Sequence, residues 1–204
     1  MKKYTNIVFD MGNVLLDYSP HLIVSKFTDD IQLVQLLVNE IFYKQEWLDL
    51  DQGIIKEDEA IGSISKRIDS KYLDLVKQIF NKWHLYLTER EEMIDLLKML
   101  KSKGYKLYLF SNASLRFYQY VNSFKCLDYF DLKVISADLK VSKPNLDFYR
   151  QASSLCQIDL KESFFIDDSA VNILESNTLN MDGYIYNGTF RLLIEYLRKV
   201  NIID

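Results

Sequence analysis

A doubly wound α/β fold with a parallel sheet is what this sequence predicts, and three observations predict it. An apolar run over residues 7–10 ends abruptly in the carboxylate of Asp10, as a strand covered on both faces would. From residue 105 onward, short apolar runs alternate with helical patterns. The residues closing those runs are polar: Asp10, Ser111-Asn112, the loop to Lys143, and Asp167-Asp168. Strands of a parallel sheet all point one way, so these groups converge at one edge, where ligands of open α/β sheets bind.

The elements follow in order. After the first strand, Gly12 is a residue that lets backbone approach a ligand closely. Ser19-Pro20 has the form of a helix start, an N-cap followed by proline. From there to about Leu87 the pattern is helical, with Ile31, Val34, Leu37 and Val38 on one face and Ile61, Ile64 and Ile68 on another. Gly53 interrupts it, and Lys56-Glu57-Asp58-Glu59 gives the next helix an acidic first turn. Residues 18–88 are therefore expected to be an all-helical insertion, with 1–17 and 89–204 forming the α/β core. Thr88-Glu89-Arg90-Glu91 has a capping-box pattern opening a helix with Met93, Leu96, Leu97 and Leu100 on one face and Gly104 as its C-cap. Strands are expected at 105–110, 132–135, 163–166 and 184–186. Helices are expected at 112–124, 145–156, 170–180 and 190–200.

Bulk properties exclude several functions. A chain of 204 residues with 49% hydrophobic and 26% charged residues suits a folded domain with an insertion. A net charge of −4 with no basic block argues against nucleic acid. No apolar run approaches the roughly 20 residues that span a bilayer. The opening Met1-Lys2-Lys3-Tyr4 has no small-residue cleavage site, and Cys126 and Cys156 form no paired motif. Together these features predict a cytoplasmic protein with reduced, unreactive thiols. Oligomeric state is not encoded in any pattern seen. With only His21 and His84 as histidines, catalysis must rest on carboxylates.

The converging groups suggest which chemistry. Asp10, Asp167 and Asp168 together would repel unless a cation sat among them, and Mg²⁺, a hard oxygen-seeking ion, fits. Lys143 and Ser111 would hold phosphate oxygens, leaving Asp10 to attack phosphorus and form an aspartyl-phosphate. These stretches resemble, in order, the four motifs of the haloacid dehalogenase-like hydrolases: Phe9-Asp10-x-Gly12-Asn13-Val14, Ser111-Asn112, Ser142-Lys143-Pro144, and Asp167-Asp168-Ser169 with Asn172 close behind. The resemblance implies a Rossmann-like core with a helical cap and Asp10 as nucleophile and metal ligand. It also implies the residue-12 carbonyl and Asp168 as further ligands supported by Asp167, and Ser111, Asn112 and Lys143 around the phosphoryl group. The substrate it implies is a small phosphoester. The Phe-Asp-x-Gly-Asn-Val form is similar to a bacterial subgroup that includes an α-glucose-1-phosphate phosphatase, which implies a sugar phosphate.

One position departs from the pattern. Phosphatases of this family usually carry a second Asp two residues after the nucleophile as general acid and base, where this chain has Gly12. Asn13 can hydrogen-bond but has no proton to give. Three outcomes follow: a substitute acid such as Asp17 or a cap residue, a substrate with an easily departing leaving group, or no phosphatase activity. In the third case the chain is a 2-haloacid dehalogenase using Asp10 without metal, or a phosphate-binding module that has lost catalysis. In the cap, Trp47 and Trp83 are expected in the core, Asp49 and Asp51 in solvent, and His84 as a satisfied histidine.

Overall fold

The computed structural model describes residues 3–204; Met1 and Lys2, the first two residues of the opening Met1-Lys2-Lys3-Tyr4, lie outside the described residues. Strand β1 (Asn6–Phe9) runs through a tight loop into β2 (Leu16–Asp17). Five helices follow: α1 (Pro20–Val24), α2 (Ile31–Ile41), α3 (Gln45–Asp51), α4 (Glu57–Ile64) and α5 (Leu73–Lys82). The chain returns through β3 (Thr88–Glu89) to α6 (Glu91–Ser102), β4 (Lys106–Ser111), α7 (Phe117–Tyr120), β5 (Leu132–Ile135) and α8 (Ser136–Leu139). It ends with α9 (Leu146–Cys156), β6 (Ser163–Asp167), α10 (Ala170–Thr178), β7 (Asp182–Ile185) and α11 (Phe190–Lys199).

The sheet is parallel throughout, in the order β5-β4-β1-β6-β7. The chain leaves β1 toward β4 and β5 on one side, then resumes at β6 and β7 on the other. The order reverses between β1 and β6, and a crevice opens at such a switch point. Asp10 and Asp167 stand on either side of it. Alternate strand residues feed two separate cores: Ile7, Phe9, Leu107, Leu109, Phe164 and Ile166 point to one face, and Val8, Tyr108, Phe110 and Phe165 to the other. The first of these cores runs without a break into the helical segment, through Leu37, Ile41, Phe80 and Trp83.

Residues 20–86 are helical wherever they are regular, and β2 pairs antiparallel with β3 at their base. Several local expectations hold: Ser19 Oγ accepts the Leu22 N–H at the start of α1, the Lys56 N–H donates to Glu59 at the start of α4, and Met93, Leu96, Leu97 and Leu100 are all buried.

Others do not. Thr88 caps no helix: it lies in β3 opposite Asp17, and α6 begins at Glu91 without a side-chain cap. Pairing with the departing strand outweighs the local capping pattern. Ile31 is 83% exposed, because α2 turns only Leu37, Val38 and Ile41 fully inward. The helix expected over 112–124 shrinks to α7 and one short 3-10 turn, Val121–Ser123, with Phe124 extended. There Phe117, Tyr120 and Phe124 pack edge to edge. Gly183 is not a turn residue but lies within β7, where a Cβ would come within 2.7 Å of the Phe165 carbonyl oxygen. Among the described residues no helix is long and apolar enough to cross a membrane.

Candidate active site

The sheet edge gathers the polar strand ends into one compact cluster. Asp10 follows β1, its N–H bonded to the Ile166 carbonyl at 2.8 Å. Asp167 closes β6 and Asp168 follows it. Lys143 enters on the loop after β5 and α8. Its Nζ lies 2.8 Å from Asp10 Oδ1 and 2.7 Å from Asp167 Oδ2. All three of these side chains are almost wholly withdrawn from solvent, whereas Asp168 is exposed.

Each member is held by a partner of its own. The Asn172 amide donates to both oxygens of Asp167, at 3.1 and 3.0 Å, and the Ser169 N–H donates to Oδ1 at 2.7 Å. Asp167 thus spends its lone pairs on protein donors and fixes the Lys143 ammonium. Asn112 Oδ1 accepts the Lys143 N–H and its Nδ2 donates to the Lys143 carbonyl, both at 2.9 Å. Its side chain clasps the lysine backbone rather than pointing at a ligand. Asn13, in a left-handed conformation with φ 54°, donates to Asp168 at 3.2 Å and accepts the Tyr18 N–H. Ser111 is buried and lines the pocket beside Asp10, as Gly12 does.

Electrostatics favour a cation here. Burial pushes the Asp10 carboxyl up to about 7 against the pull of Lys143, with Asp167 and Asp168 adding to the rise. Burial also works against the Lys143 ammonium, but Asp10 and Asp167 more than offset it and hold its pKa above the ordinary value. Three carboxylates facing one ammonium leave two negative charges uncompensated, the charge of one divalent ion. Asp10, Asp167 and Asp168 each present an oxygen within 4.8 Å of the others. An octahedral Mg²⁺ with ligands at about 2.0–2.1 Å spans little less than this. The donor set, all oxygen, suits that ion.

Over the cluster lies a cavity of about 140 Å³. Its floor is Asp10, Gly12, Ser111, Asn112 and Lys143, and its roof comes from the helical segment. Tyr18, Trp47, Trp83 and Tyr120 line it as a connected group, with ring centroids 6.1 Å apart for Tyr18–Trp83, 5.4 Å for Trp47–Trp83 and 5.9 Å for Trp83–Tyr120. The two tryptophans therefore belong to the core and to the pocket wall at once.

Two expectations about acids change. Asp17 does not reach the cavity; Arg90 binds it through Nε at 2.8 Å and Nη2 at 2.7 Å in the β2–β3 ribbon. Asp51 is not on the open surface: half-buried, it ends α3 in the pocket wall, and burial pushes its carboxyl up to about 7 while the Ser114 N–H draws it down. One signal in the sequence was available, since an Asp in the last turn of a helix opposes the helix dipole. His84 is not satisfied either: its Nδ1 is the one buried side-chain atom among the described residues without a hydrogen-bond partner.

The family model for haloacid dehalogenase-like hydrolases matches residues 4–175, and the chain belongs to that family; it is a hydrolase. Among curated proteins it is similar to a sesquiterpene phosphatase of Aspergillus oryzae, 25% identical over 86% of each chain. Among solved structures it resembles a HAD family enzyme of Bacteroides thetaiotaomicron in complex with magnesium and inorganic phosphate. That pair shares 25% identity and a TM-score of 0.72, with 93% of this chain and 98% of the other covered. A dehalogenase with an intermediate complex shares the fold, at 18% identity and a TM-score of 0.69 over 90% and 84% of the two chains.

Proposed function

We propose that this hydrolase is a Mg²⁺-dependent phosphatase acting on a compact phosphomonoester, with residues 18–88 as its cap. One observation carries this: Asp10 stands at the switch point of the sheet, open to the cavity and backed by Lys143, in a carboxylate cluster one divalent cation short of neutrality. The magnesium and phosphate held by the Bacteroides enzyme support the same reading. The metal-free dehalogenase alternative would leave those two charges uncompensated in a largely buried cluster, which is costly.

Asp10 and Asp168, with the residue-12 carbonyl beside them, would hold the ion; Asp167, already saturated, supports them through Lys143. When bound, Mg²⁺ supplies charge neutralisation for the phosphoryl oxygens. Asp10 attacks phosphorus in line and the alcohol leaves. Lys143 and Ser111 steady the transferred group, Asn112 sets the position of Lys143, and water hydrolyses the aspartyl-phosphate.

The cavity is close in size to the roughly 150 Å³ site known to enclose benzene, so it suits a ring or short chain. A sugar phosphate meets that limit, since the aromatic roof can take the apolar face of a sugar ring. A second reading has its own support: the cap side of the lining is dominated by ring and aliphatic carbon, from Tyr18, Trp47, Trp83 and Leu87, and the Aspergillus relative is a sesquiterpene phosphatase. That favours a phosphomonoester of an apolar alcohol.

Phosphate release from sugar 1-phosphates, sugar 6-phosphates, isoprenoid monophosphates and an aryl phosphate, with Mg²⁺ and with chelator, tests both readings. Release that needs Mg²⁺ and disappears in Asp10→Asn is expected. Halide release from a 2-haloacid in chelator, or full activity in Asp10→Asn, would overturn the proposal.

A further inference from the structure

Beyond the carboxylates of the cluster itself, the core side of the site offers no carboxylic acid to protonate a departing alkoxide. Asp10 is the nucleophile, Asn13 is an amide, and Lys143 is engaged by two carboxylates. Gly12 has no side chain, and a Cβ there would meet nothing nearer than Tyr18 Cβ at 4.0 Å, so the space is open. Asp51 lines the same cavity from the cap.

Its placement is built rather than incidental. The Asp51 carbonyl accepts a hydrogen bond from Ser136 Oγ, whose hydroxyl also accepts the Ala113 N–H at 3.0 Å. Its carboxyl is bonded by the Ser114 N–H. The next residue, Gln52, donates to Ser142 Oγ at 2.8 Å, and the Gly53 carbonyl accepts from Lys140 Nζ at 2.7 Å. Every one of these partners lies on the two segments, one from β4 to α7 and one from β5 to α9, that carry Ser111-Asn112 and Lys143. The end of α3 is therefore latched to the segments that form the phosphate site.

We infer that Asp51 is the general acid of this enzyme, giving its proton to the leaving oxygen from the cap in place of a residue at position 12. The inference rests on the phosphatase reading above. As the bond from Asp10 to phosphorus forms and the ester P–O bond breaks, the Asp51 carboxylic proton passes to the leaving oxygen, releasing neutral alcohol. In the second step the Asp51 carboxylate takes a proton from the attacking water while the Asp10–phosphorus bond breaks. Both carboxyl groups return to their starting states and phosphate departs. The burial that raises its pKa to about 7 keeps Asp51 protonated through the acidic range. The titratable groups around it are the Tyr18 and Tyr120 phenols, both held neutral by burial, with Asp10 and Lys143 across the cavity.

Asp51→Asn keeps an acceptor for the Ser114 N–H and removes only the proton. The test compares butyl phosphate, whose alkoxide needs protonation, with 4-nitrophenyl phosphate, whose phenolate does not. In the variant, kcat/KM is expected to fall about 10²–10⁴-fold on the alkyl ester and less than about 10-fold on the aryl ester. The decline of the wild-type alkyl rate as pH rises through about 7 should vanish with it. An aryl kcat/KM near the wild-type value, which reports only the steps up to release of the phenolate, shows that the variant folds. Equal losses on both esters, or none, would overturn the role of Asp51 while leaving the phosphatase reading intact. If the wild type releases phosphate from neither ester nor any other, the phosphatase reading fails and Asp51 falls with it.

Discussion

The floor and the roof of the cavity are built on opposite principles. The floor is charged, dry and saturated: Lys143 and Asp167 have side chains 1% and 0% exposed, and Asp167 accepts from Lys143, Asn172 and the Ser169 N–H. The roof is aromatic and holds one acid, placed by a short set of hydrogen bonds between α3 and the core loops. A rigid ionic floor suits a reaction whose charge changes are the same for every phosphoester. An adaptable apolar roof suits the part of the substrate that differs. On this division, damage to the floor should remove all activity, whereas damage to the roof should change which esters are cleaved.

The harshest way to break the comparison is at the floor. Lys143→Met leaves Asp10 and Asp167 without their cation, and removing one partner of a buried ion pair costs about 3–5 kcal/mol. Phosphate release should drop at least about 10²–10³-fold on every ester alike. A drop confined to some esters would erase the distinction between floor and roof.

Stability as a function of pH probes the roof. Burial raises the Asp51 pKa in the folded protein, so the folded state holds that proton where the unfolded chain has lost it. Its contribution is therefore fully present below the unfolded value and is lost as pH rises toward about 7. Asp51→Asn should accordingly gain in Tm relative to wild type as pH climbs from 4 to 8. A Tm difference that does not change with pH would mean Asp51 is solvated after all.

The smallest effects come from two glycines. Gly53 has φ +63°, and a Cβ there would sit 2.5 Å from the Ala137 carbonyl oxygen, so Gly53→Ala should cost about 1–3 kcal/mol and loosen the latch. Gly12→Ala meets no such obstacle and should stay within about 0.5 kcal/mol of wild type. Chemical denaturation of both variants measures the contrast. If the two cost the same, position 12 is constrained in a way its surroundings do not show. Gly12 is then best understood by the absence of a side chain, not by a need for unusual backbone.

Much of this molecule was legible in the sequence because the determining signals are local. Apolar runs set the strands, and parallel direction alone forces Asp10, Ser111, Lys143 and Asp167 to one edge. Residues 132–135 were placed to the residue by such a run. What failed also failed locally: Thr88 looks like a cap until β2 supplies a strand partner, and 112–124 looks helical until Tyr120 packs against Trp83 in the cavity wall.

The site divides along the same line. Sequence alone determined that Asp10, Lys143, Asp167 and Asp168 come together, because each ends a strand or opens a loop whose place follows from the topology. Only the tertiary structure decided that Asn112 clasps Lys143, that Asp17 belongs to Arg90, and that Asp51 faces the cavity. Those assignments depend on how the helical segment seats on the sheet edge. That seating is set by side chains more than eighty residues apart, as Gln52 and Ser142 are, and no periodicity along the chain carries it.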